Sequence, residues 1–468
     1  MTARPIDAAL WRTAAVLVLG TFMATLDSTI VSVGVDTLAD EFGAPVTGVQ
    51  WVTTAYLLAV VTAVPASGWL ADRFGGRRVW LTAVVVFLLA SLLCALATTL
   101  PALIAFRVLQ GLAGGLLPPT GQALLARAAG RDRIGRVIAV VGLVPLLSPV
   151  LGPLASGTIL AVADWPWLFY VNLPIGVVAV SLARRWVPES EPGGKGERFD
   201  FRGALLLSPG LAVLVFGLTW FDQGTPMVAG IAVALGVVML AAFVRHGLRA
   251  EAPLLDPRLL TKPPFGVAAL ALVLLGASVF GTMFLLPLYL QRGPGLSTWD
   301  TGLLLVPQGI GAAAGSILVN RLVDRISPRT LVLSGIGLVA LGTAPFTQLG
   351  AGIPDWVIVV SLLLRGFGAA LIGAPVMTIV YRRVEPARLP RAAGALNLLN
   401  TLGGSIGTAV LAVVLQARLA ARGPDVAAAF ADAFWCVLGL AVVAVAGATR
   451  LPRAGEAAPD KKKGHADA

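Results

Sequence analysis

Two ionisable residues, Asp27 and Arg107, lie in long apolar stretches of the chain. A charge at membrane depth costs roughly 3 to more than 10 kcal/mol, so it usually faces the protein interior and marks an ion or substrate pathway. Desolvation favours the protonated form of a carboxylate and a nearby cation favours the ionised form. An aspartate that alternates between these environments can carry protons, and we interpret Asp27 and Arg107 as a proton-coupling pair. The alternative is a static ion pair that sets helix register.

The segment "GWLADRFGGRR" predicts a second functional element, a gating loop. Its candidate residues are Gly68, Asp72, Arg73, Gly75, Arg77 and Arg78. The first glycine allows two helices to approach, and the second permits a tight reversal with positive φ. The aspartate can accept from a facing helix end, while the arginines pair with acidic groups or helix carboxyl termini in one state and release them in another. Alternatively, the arginines serve only membrane topology.

The composition indicates the elements that must position these residues. Hydrophobic residues make up 57% of the 468 residues and charged residues only 13%, which exceeds the needs of a soluble core. Apolar stretches of about 20 residues, long enough to cross ~30 Å of hydrocarbon as helices, recur along the chain. We count fourteen of them and predict an all-α polytopic membrane protein.

Basic residues are distributed unevenly between the two sides of this predicted bundle. Most of the 35 lysines and arginines fall in alternate loops, together with both termini. The positive-inside rule therefore predicts a multi-pass protein of the cytoplasmic (inner) membrane with both termini in the cytoplasm. Because the basic residues occur in short loops, the net charge of +11 does not indicate a nucleic-acid partner.

An internal repeat predicts the domain organisation. Asp72, Arg73 and Arg77 match Asp324, Arg325 and Arg329 in a second loop, "NRLVDRISPRT". We predict a six-helix bundle over 1–187, a linker with two extra transmembrane helices over 188–262, a second six-helix bundle over 263–452 and a disordered cytoplasmic tail over 453–468.

Several motifs together resemble the major facilitator superfamily, in particular its fourteen-span branch of drug and proton antiporters. They are "LDSTIVSVGV" (26–35), "WVTTAYLL" (51–58), the loop 68–78, "RVLQGLAGG" (107–115), "SPVLGPLASG" (148–157) and "WPWLFYVNLPIG" (165–176). The loop departs from the family pattern at Gly76, and the last motif departs from it at Pro166. The resemblance implies the major facilitator fold of two six-helix bundles, here with two additional helices.

The resemblance also implies roles for particular residues. Arg107 stands where the family has a membrane-embedded arginine linked to proton coupling. Gly152, Pro153 and Gly157 form an antiporter motif that the resembling proteins associate with export. These three residues could instead be an ordinary packing interface of small residues with a helix kink.

Polar and aromatic residues of the spans are candidates for a substrate cavity, although for each one individually packing is the more common role. The candidates are Trp51, Tyr56, Asn172, Phe284, Tyr289, Gln291, Gln308, Arg365, Asn397 and Asn400. Arg365 has no acidic residue nearby in its span. It could snorkel to the cytoplasmic side, pair with a carbonyl group, or line the cavity and favour an anionic or zwitterionic substrate.

The combined observations predict a proton-coupled antiporter that exports amphipathic drugs or related small molecules by alternating access. No phosphate-binding loop or Cys and His cluster occurs in the sequence, so we expect no metal and no cofactor, with the proton gradient as energy source. The expected partners are a small-molecule substrate, protons and the lipid bilayer, and we expect a monomer. The alternatives are a dedicated exporter of an endogenous metabolite, including an anionic one, and a non-transporting membrane sensor or scaffold.

Overall fold

The computed structural model describes residues 7–141, 144–190, 200–220, 226–250, 253, 257–259, 265–323, 325–384 and 389–450. The predictions about Asp324, the tail 453–468 and most of the linker before residue 200 concern residues outside this range. The side chain of Pro153 also lies outside the described part.

The described chain forms helices. In chain order they are α1 (Ala8–Val33), α2 (Val35–Phe42), α3 (Val46–Ala63), α4 (Ala66–Phe74), α5 (Gly76–Ala95), α6 (Leu100–Gly114), α7 (Leu117–Val141), α8 (Val144–Val162), α9 (Trp167–Tyr170), α10 (Asn172–Trp186), α11 (Phe201–Trp220), α12 (Pro226–Gly247), α13 (Phe265–Arg292), α14 (Thr298–Leu322), α15 (Pro328–Thr343), α16 (Asp355–Arg383), α17 (Leu389–Arg422) and α18 (Val426–Ala448). Two 3₁₀ segments, Pro257–Leu259 and Ala344–Ala351, complete the described elements. This architecture agrees with the predicted all-α fold.

Local sequence explains where several helices begin and break. The Asp7 carboxylate caps α1 by accepting from the backbone N–H of Leu10 at 2.8 Å. This hydrogen bond, together with the guanidinium of Arg133, lowers the pKa of Asp7. At Gly75 a φ of +85° separates α4 from α5, and at Gly130 a φ of +68° breaks α7 into two parts. Both positions require a backbone conformation that glycine adopts without steric cost.

Eleven helical segments within the described residues are long and apolar enough to cross a membrane, and the bent pair α3 and α4 makes a twelfth. The remaining two of the fourteen predicted spans coincide with α8 and α11. The side chains of residues 141–150 lie outside the described part, and α11 is a shorter apolar helix over Phe201–Gly217. The polytopic architecture is therefore confirmed, while the span count supported by length and hydropathy is eleven to twelve.

The helices pack into two groups with a separate pair between them. In the first group, α1 contacts α7, α8 and α10, and α6 contacts α3 and α5. In the second group, α16 contacts α14 and α15, and α13 contacts α17 and α18. The pair α11 and α12 packs together, and α11 contacts α3 of the first group and α17 of the second. The Ser208 hydroxyl donates to the Thr62 carbonyl at 2.8 Å, which ties the pair to α3.

Glycines allow several of these helices to approach until their backbones touch. A Cβ on Gly403 of α17 would lie 2.6 Å from the Cα of Val273 in α13. A Cβ on Gly111 of α6 would lie 2.8 Å from the Cβ of Ala59 in α3. Close approach of small residues drives helix association in lipid, where the hydrophobic effect between helices is lost.

The Gly403→Ala variant should be destabilised by roughly 1–3 kcal/mol, because the added methyl group overlaps the backbone of α13. We expect a lower thermal unfolding midpoint in detergent. The matched control is Gly337→Ala in α15, whose Cβ would meet no atom within 4 Å. This control should be neutral or slightly stabilising because alanine has the higher helix propensity. Equal midpoints for the two variants would contradict the packing interpretation.

Candidate functional site

The carboxylate of Asp27 lies in the middle of the first helix group and has no exposed surface. Its Oδ2 accepts a hydrogen bond from Nη1 of Arg107 at 2.5 Å. Its Oδ1 accepts from Nε2 of Gln110 at 3.0 Å and from Nδ2 of Asn172 at 2.8 Å. Both oxygens are therefore occupied by donors from α6 and α10.

The guanidinium of Arg107 is equally buried and is held from several directions. Its Nε donates to the Val52 carbonyl at 3.1 Å, and Nη1 also donates to Oε1 of Gln110 at 2.6 Å. The ring of Tyr56 lies beneath the guanidinium, 4.0 Å from Cζ to the ring centroid, which adds a cation–π contact. The second terminal nitrogen, Nη2, has no hydrogen-bond partner among the described residues.

A further layer of polar side chains orients this pair. The Ser91 hydroxyl accepts from Gln110 Nε2 at 2.6 Å and lies 3.4 Å from Asn172 Nδ2. The Tyr56 hydroxyl donates to the Ala24 carbonyl in α1 at 2.9 Å, which fixes the ring below Arg107. Five helices thus contribute to the network: α1, α3, α5, α6 and α10.

The sequence predicted the contact between Asp27 and Arg107 but not its surroundings. Asn172 and Tyr56 were predicted as substrate-cavity residues, whereas the structure places both in the network around the ion pair. Gln110 and Ser91 were not predicted. The spacing of Gln110, three residues after Arg107 and hence on the same helix face, is a signal that could have found it.

The network has a definite chemical consequence. Protonation of Asp27 gives one oxygen a proton that needs an acceptor, whereas the groups that face the two oxygens here are three donors. Loss of the negative charge also leaves the Arg107 cation without compensation in a site excluded from water. Arrival of a proton is therefore incompatible with the observed arrangement of side chains.

Asp72 connects the two helix groups at the end of the bundle that carries Arg77, Arg127, Arg133 and Arg391, here called the basic face. Its Oδ2 accepts from Nε of Arg391 in α17 at 3.1 Å, and Oδ1 lies 3.7 Å from Nη2 of Arg127 in α7. A Cβ on Gly68 would lie 2.9 Å from the Cα of Arg391. The α4 segment of the predicted gating loop therefore packs directly on α17 of the other group.

The arginines of the predicted gating loop behave differently from one another. Arg77 pairs with Glu189 at 3.4 Å and donates through Nη2 to the Arg184 carbonyl at 2.5 Å, near the carboxyl end of α10. The predicted pairing of Arg73 and Arg78 is not observed in the described residues, where both side chains are exposed. Successive helix positions lie about 100° apart, so the residue after Asp72 points away from α17.

A second polar bridge between the groups centres on Gln122 of α7. Its Oε1 accepts from Nδ2 of Asn397 at 2.7 Å and from the Tyr381 hydroxyl at 3.2 Å. Asn397 was predicted as a cavity residue, and the structure instead places it in this bridge. Like the Asp72 contacts, these hydrogen bonds must break if the groups separate here.

The antiporter motif contains two glycines with different surroundings. A Cβ on Gly152 would lie 2.5 Å from the Cβ of Thr29, so α8 packs tightly on α1 close to Asp27. Gly157 is exposed, and its added Cβ would approach only Trp299, at 3.9 Å. Close helix packing therefore explains the first glycine but not the second.

Arg365 of α16 is buried in the second helix group. Its Nη1 donates to the Thr343 hydroxyl, and its Nη2 donates to the Thr282 hydroxyl and, at 3.2 Å, to the Ser278 carbonyl. Of the three predicted arrangements, pairing with a carbonyl is observed and snorkelling to a surface is not.

The other cavity candidates are mostly packing residues in this conformation. Tyr289 lies in an apolar cluster with its ring centroid 5.5 Å from that of Phe430, and Phe284 packs against the same cluster. Trp51 stacks on Phe216 at 5.7 Å between centroids. Gln308 is buried, Asn400 is half-buried, and Gln291 is exposed in the last turn of α13.

Comparisons with known proteins agree with this architecture. The profile of the Major Facilitator Superfamily matches residues 17–408. The chain is 39% identical over 416 residues to a "Multidrug resistance protein B homolog" of Mycobacterium tuberculosis, covering 88% of this chain and 77% of the relative. It is 30% identical to a "Putative multidrug resistance protein MdtD" of Cronobacter sakazakii, covering 92% and 91% of the two chains.

Solved structures share the fold at low sequence identity. The proton:xylose symporter XylE superposes with a TM-score of 0.66 at 16% identity, covering 94% of this chain and 95% of that chain. The human organic anion transporter MFSD10 superposes with a TM-score of 0.65 at 19% identity, covering 94% and 100%.

The Asp27→Asn variant should lose roughly 3–5 kcal/mol of stability, because it leaves the buried Arg107 cation without its counter-charge. The double variant Asp27→Asn/Arg107→Gln removes both charges and should recover most of that loss. Thermal unfolding of the purified proteins in detergent measures both effects. A double variant as unstable as the single one would show that charge compensation does not explain the defect.

The Asp72→Asn variant should loosen the basic face, because it removes the negative charge that holds Arg391 and Arg127. The reporter is Ser67→Cys, a position 1% exposed in α4, in a background where Cys94 and Cys436 are alanine. We expect a water-soluble maleimide to label this cysteine several-fold faster in Asp72→Asn. The control Arg73→Gln alters the exposed neighbour and should leave the labelling rate unchanged. Equal rates in all three proteins would exclude a latch role for Asp72.

Proposed function

Because the chain belongs to the major facilitator superfamily and is thus a membrane transporter rather than an enzyme, we propose that it exchanges protons for an amphipathic small molecule by alternating access. The observation that carries this proposal is the complete burial of Asp27 among donors from two other helices. A carboxylate whose protonation must rearrange its partners can couple proton binding to helix movement.

In the proposed cycle Asp27 carries the proton and Arg107 responds to it. Protonation releases Arg107, whose Nη2 already lacks a partner, and α1 and α6 shift relative to each other. The Asp72 and Gln122 bridges at the basic face open in one stage of the cycle and close in the other. The proton gradient supplies the energy, and no cofactor takes part.

The proposal includes the finer architecture expected from the sequence. We place the chain in the fourteen-span branch of drug and proton antiporters, with α8 and α11 counted as membrane spans and with α11 and α12 as the extra pair between the two six-helix bundles. The basic face would lie in the cytoplasm with both termini, as the positive-inside rule requires, in a monomer of the inner membrane. The relatives named as multidrug resistance proteins support export of drug-like compounds.

The substrate class is proposed from the charges available. Asp27 is the one carboxylate within the described parts of the membrane spans that is fully buried, and Arg107 already neutralises it. Desolvation of two positive charges would require two counter-charges. Monocationic, neutral or zwitterionic compounds are therefore better substrates than dications.

A second candidate function, dedicated export of an endogenous anionic metabolite, is favoured by one observation. Arg365 is buried among neutral partners in the second helix group. Such a cation could serve as the counter-charge of an anionic substrate.

Substrate-evoked proton flux in inverted membrane vesicles tests the proposed antiport. Wild type should show flux with some of a series of monocationic, neutral, zwitterionic, anionic and dicationic compounds. In Asp27→Asn the proton flux should fall at least tenfold. It should fall as far in Asp27→Asn/Arg107→Gln, the double variant that is expected to recover most of the lost stability. The control Asp40→Asn, an exposed carboxylate of α2, should retain the flux.

Three outcomes of this experiment would change the proposal. Full flux in the double variant would identify the buried pair as a static structural element. Flux with a dication as fast as with its monocationic analogue would refute the proposed substrate class. Flux with anionic compounds alone would favour the dedicated metabolite exporter.

A further inference from the structure

Among the described side chains, each helix group contains one buried arginine, and only the one in the first group pairs with a carboxylate. Arg107 of α6 is neutralised by Asp27 at 2.5 Å. Arg365 of α16 is 3% exposed, and its partners are two hydroxyls and one carbonyl. Its Nε is buried without a hydrogen-bond partner among the described residues. Within the described part of the second group, Arg365 thus has no acidic partner.

None of the acidic side chains described in the second group forms an ion pair with this cation. They are Asp300, Asp355, Asp425 and Asp432. Asp355 begins α16, about 15 Å along the helix axis from Arg365. Asp432 is paired with Arg422 at 3.0 Å. A cation taken out of water and surrounded only by neutral groups is costly, and a bound anion would offset that cost.

We propose that Arg365, with the hydroxyl of Thr282, forms a binding site for a single anionic group, such as the carboxylate of an amphipathic substrate. The Thr282 hydroxyl accepts from Arg365 and therefore keeps its own proton for donation to an anion. The Thr343 hydroxyl donates its proton to the Val339 carbonyl at 2.6 Å, so it orients the guanidinium instead. The unpartnered Nε supplies a further donor.

The neighbouring cavity indicates what kind of molecule carries the anionic group. Ser278, whose carbonyl accepts from Arg365, also lines a narrow cavity of about 20 Å³. The other lining residues are apolar side chains of α13, α15, α16 and α18, among them Leu275, Val339 and Ile372. Arg365 does not itself line this cavity, but Ser278 joins the guanidinium to the apolar walls. A cation next to such a cavity suits an amphipathic anion or zwitterion. The cavity is small, so a larger ligand enters in another stage of the transport cycle; in this respect the inference rests on the proposed function.

Equilibrium binding tests the site without any need for transport. The probes are 1-naphthylacetate and its neutral isostere 1-naphthylacetamide, titrated calorimetrically into the full-length protein in nanodiscs in halide-free buffer. Wild type should bind the acid at least about tenfold more tightly than the amide, the gain expected for a charge-assisted hydrogen bond. Arg365→Gln should abolish this preference. The control Arg292→Gln, at the exposed end of α13, should retain it.

A second variant keeps the test decisive if Arg365→Gln does not fold. Thr282→Val removes only the hydroxyl and should reduce the preference about threefold. The proposal would be overturned if either folded variant kept the wild-type preference for the acid. It would also be overturned if wild type bound acid and amide with equal affinity and added chloride changed neither affinity.

Added sodium chloride distinguishes the two sources of an anionic group. Unchanged affinity for naphthylacetate assigns the site to a substrate carboxylate, whereas competition by chloride that disappears in Arg365→Gln assigns it to a free halide. The double variant Asp27→Asn/Arg107→Gln separates this inference from the antiport mechanism. If wild type shows no proton flux yet wild type and double variant both prefer the acid, the antiport proposal fails and the anion site remains.

Discussion

The rest of the structure depends on the need to keep the ionised carboxylate of Asp27 away from lipid. One arginine, one glutamine and one asparagine occupy its two oxygens, and a serine and a tyrosine hold those partners in place. Five helices must therefore meet at one point in the first group. The close approach of α8 to α1 at Gly152 and of α6 to α3 at Gly111 follows the same requirement, since side chains there would push the helices apart.

The second group repeats the architecture but not the electrostatics. Arg365 is buried in the second group as Arg107 is in the first, yet its partners among the described residues are neutral. The first group thus encloses a balanced pair that can be disturbed by a proton, and the second encloses a free positive charge. When the inferred anion site is added to the proposed antiport, the first half couples protons and the second half binds the anionic group of a zwitterionic or anionic substrate.

Polar contacts between the two helix groups must break when the groups move apart in the proposed cycle. Asp72 links α4 to α7 and α17, and Gln122 links α7 to α16 and α17. Both are polar contacts that water could replace if the face opened, so breaking them costs little compared with exposing an apolar interface. Apolar contacts also join the groups, because buried side chains of α7 belong to the same hydrophobic cluster as side chains of α14, α16 and α17. Rocking of the two bundles must therefore separate these apolar contacts as well as the polar bridges.

The membrane character, the all-helical fold and the contact between Asp27 and Arg107 were predictable from the sequence, because hydropathy and the cost of a buried charge are properties of the residues themselves. The partners of that pair were less predictable. Asn172 and Asn397 look alike in sequence, yet one binds Asp27 and the other bridges the two groups through Gln122. Likewise, Gly152 is closely packed and Gly157 is exposed. Which face of a helix meets which neighbour depends on helix rotation and packing over the whole bundle, and only the tertiary structure decides it.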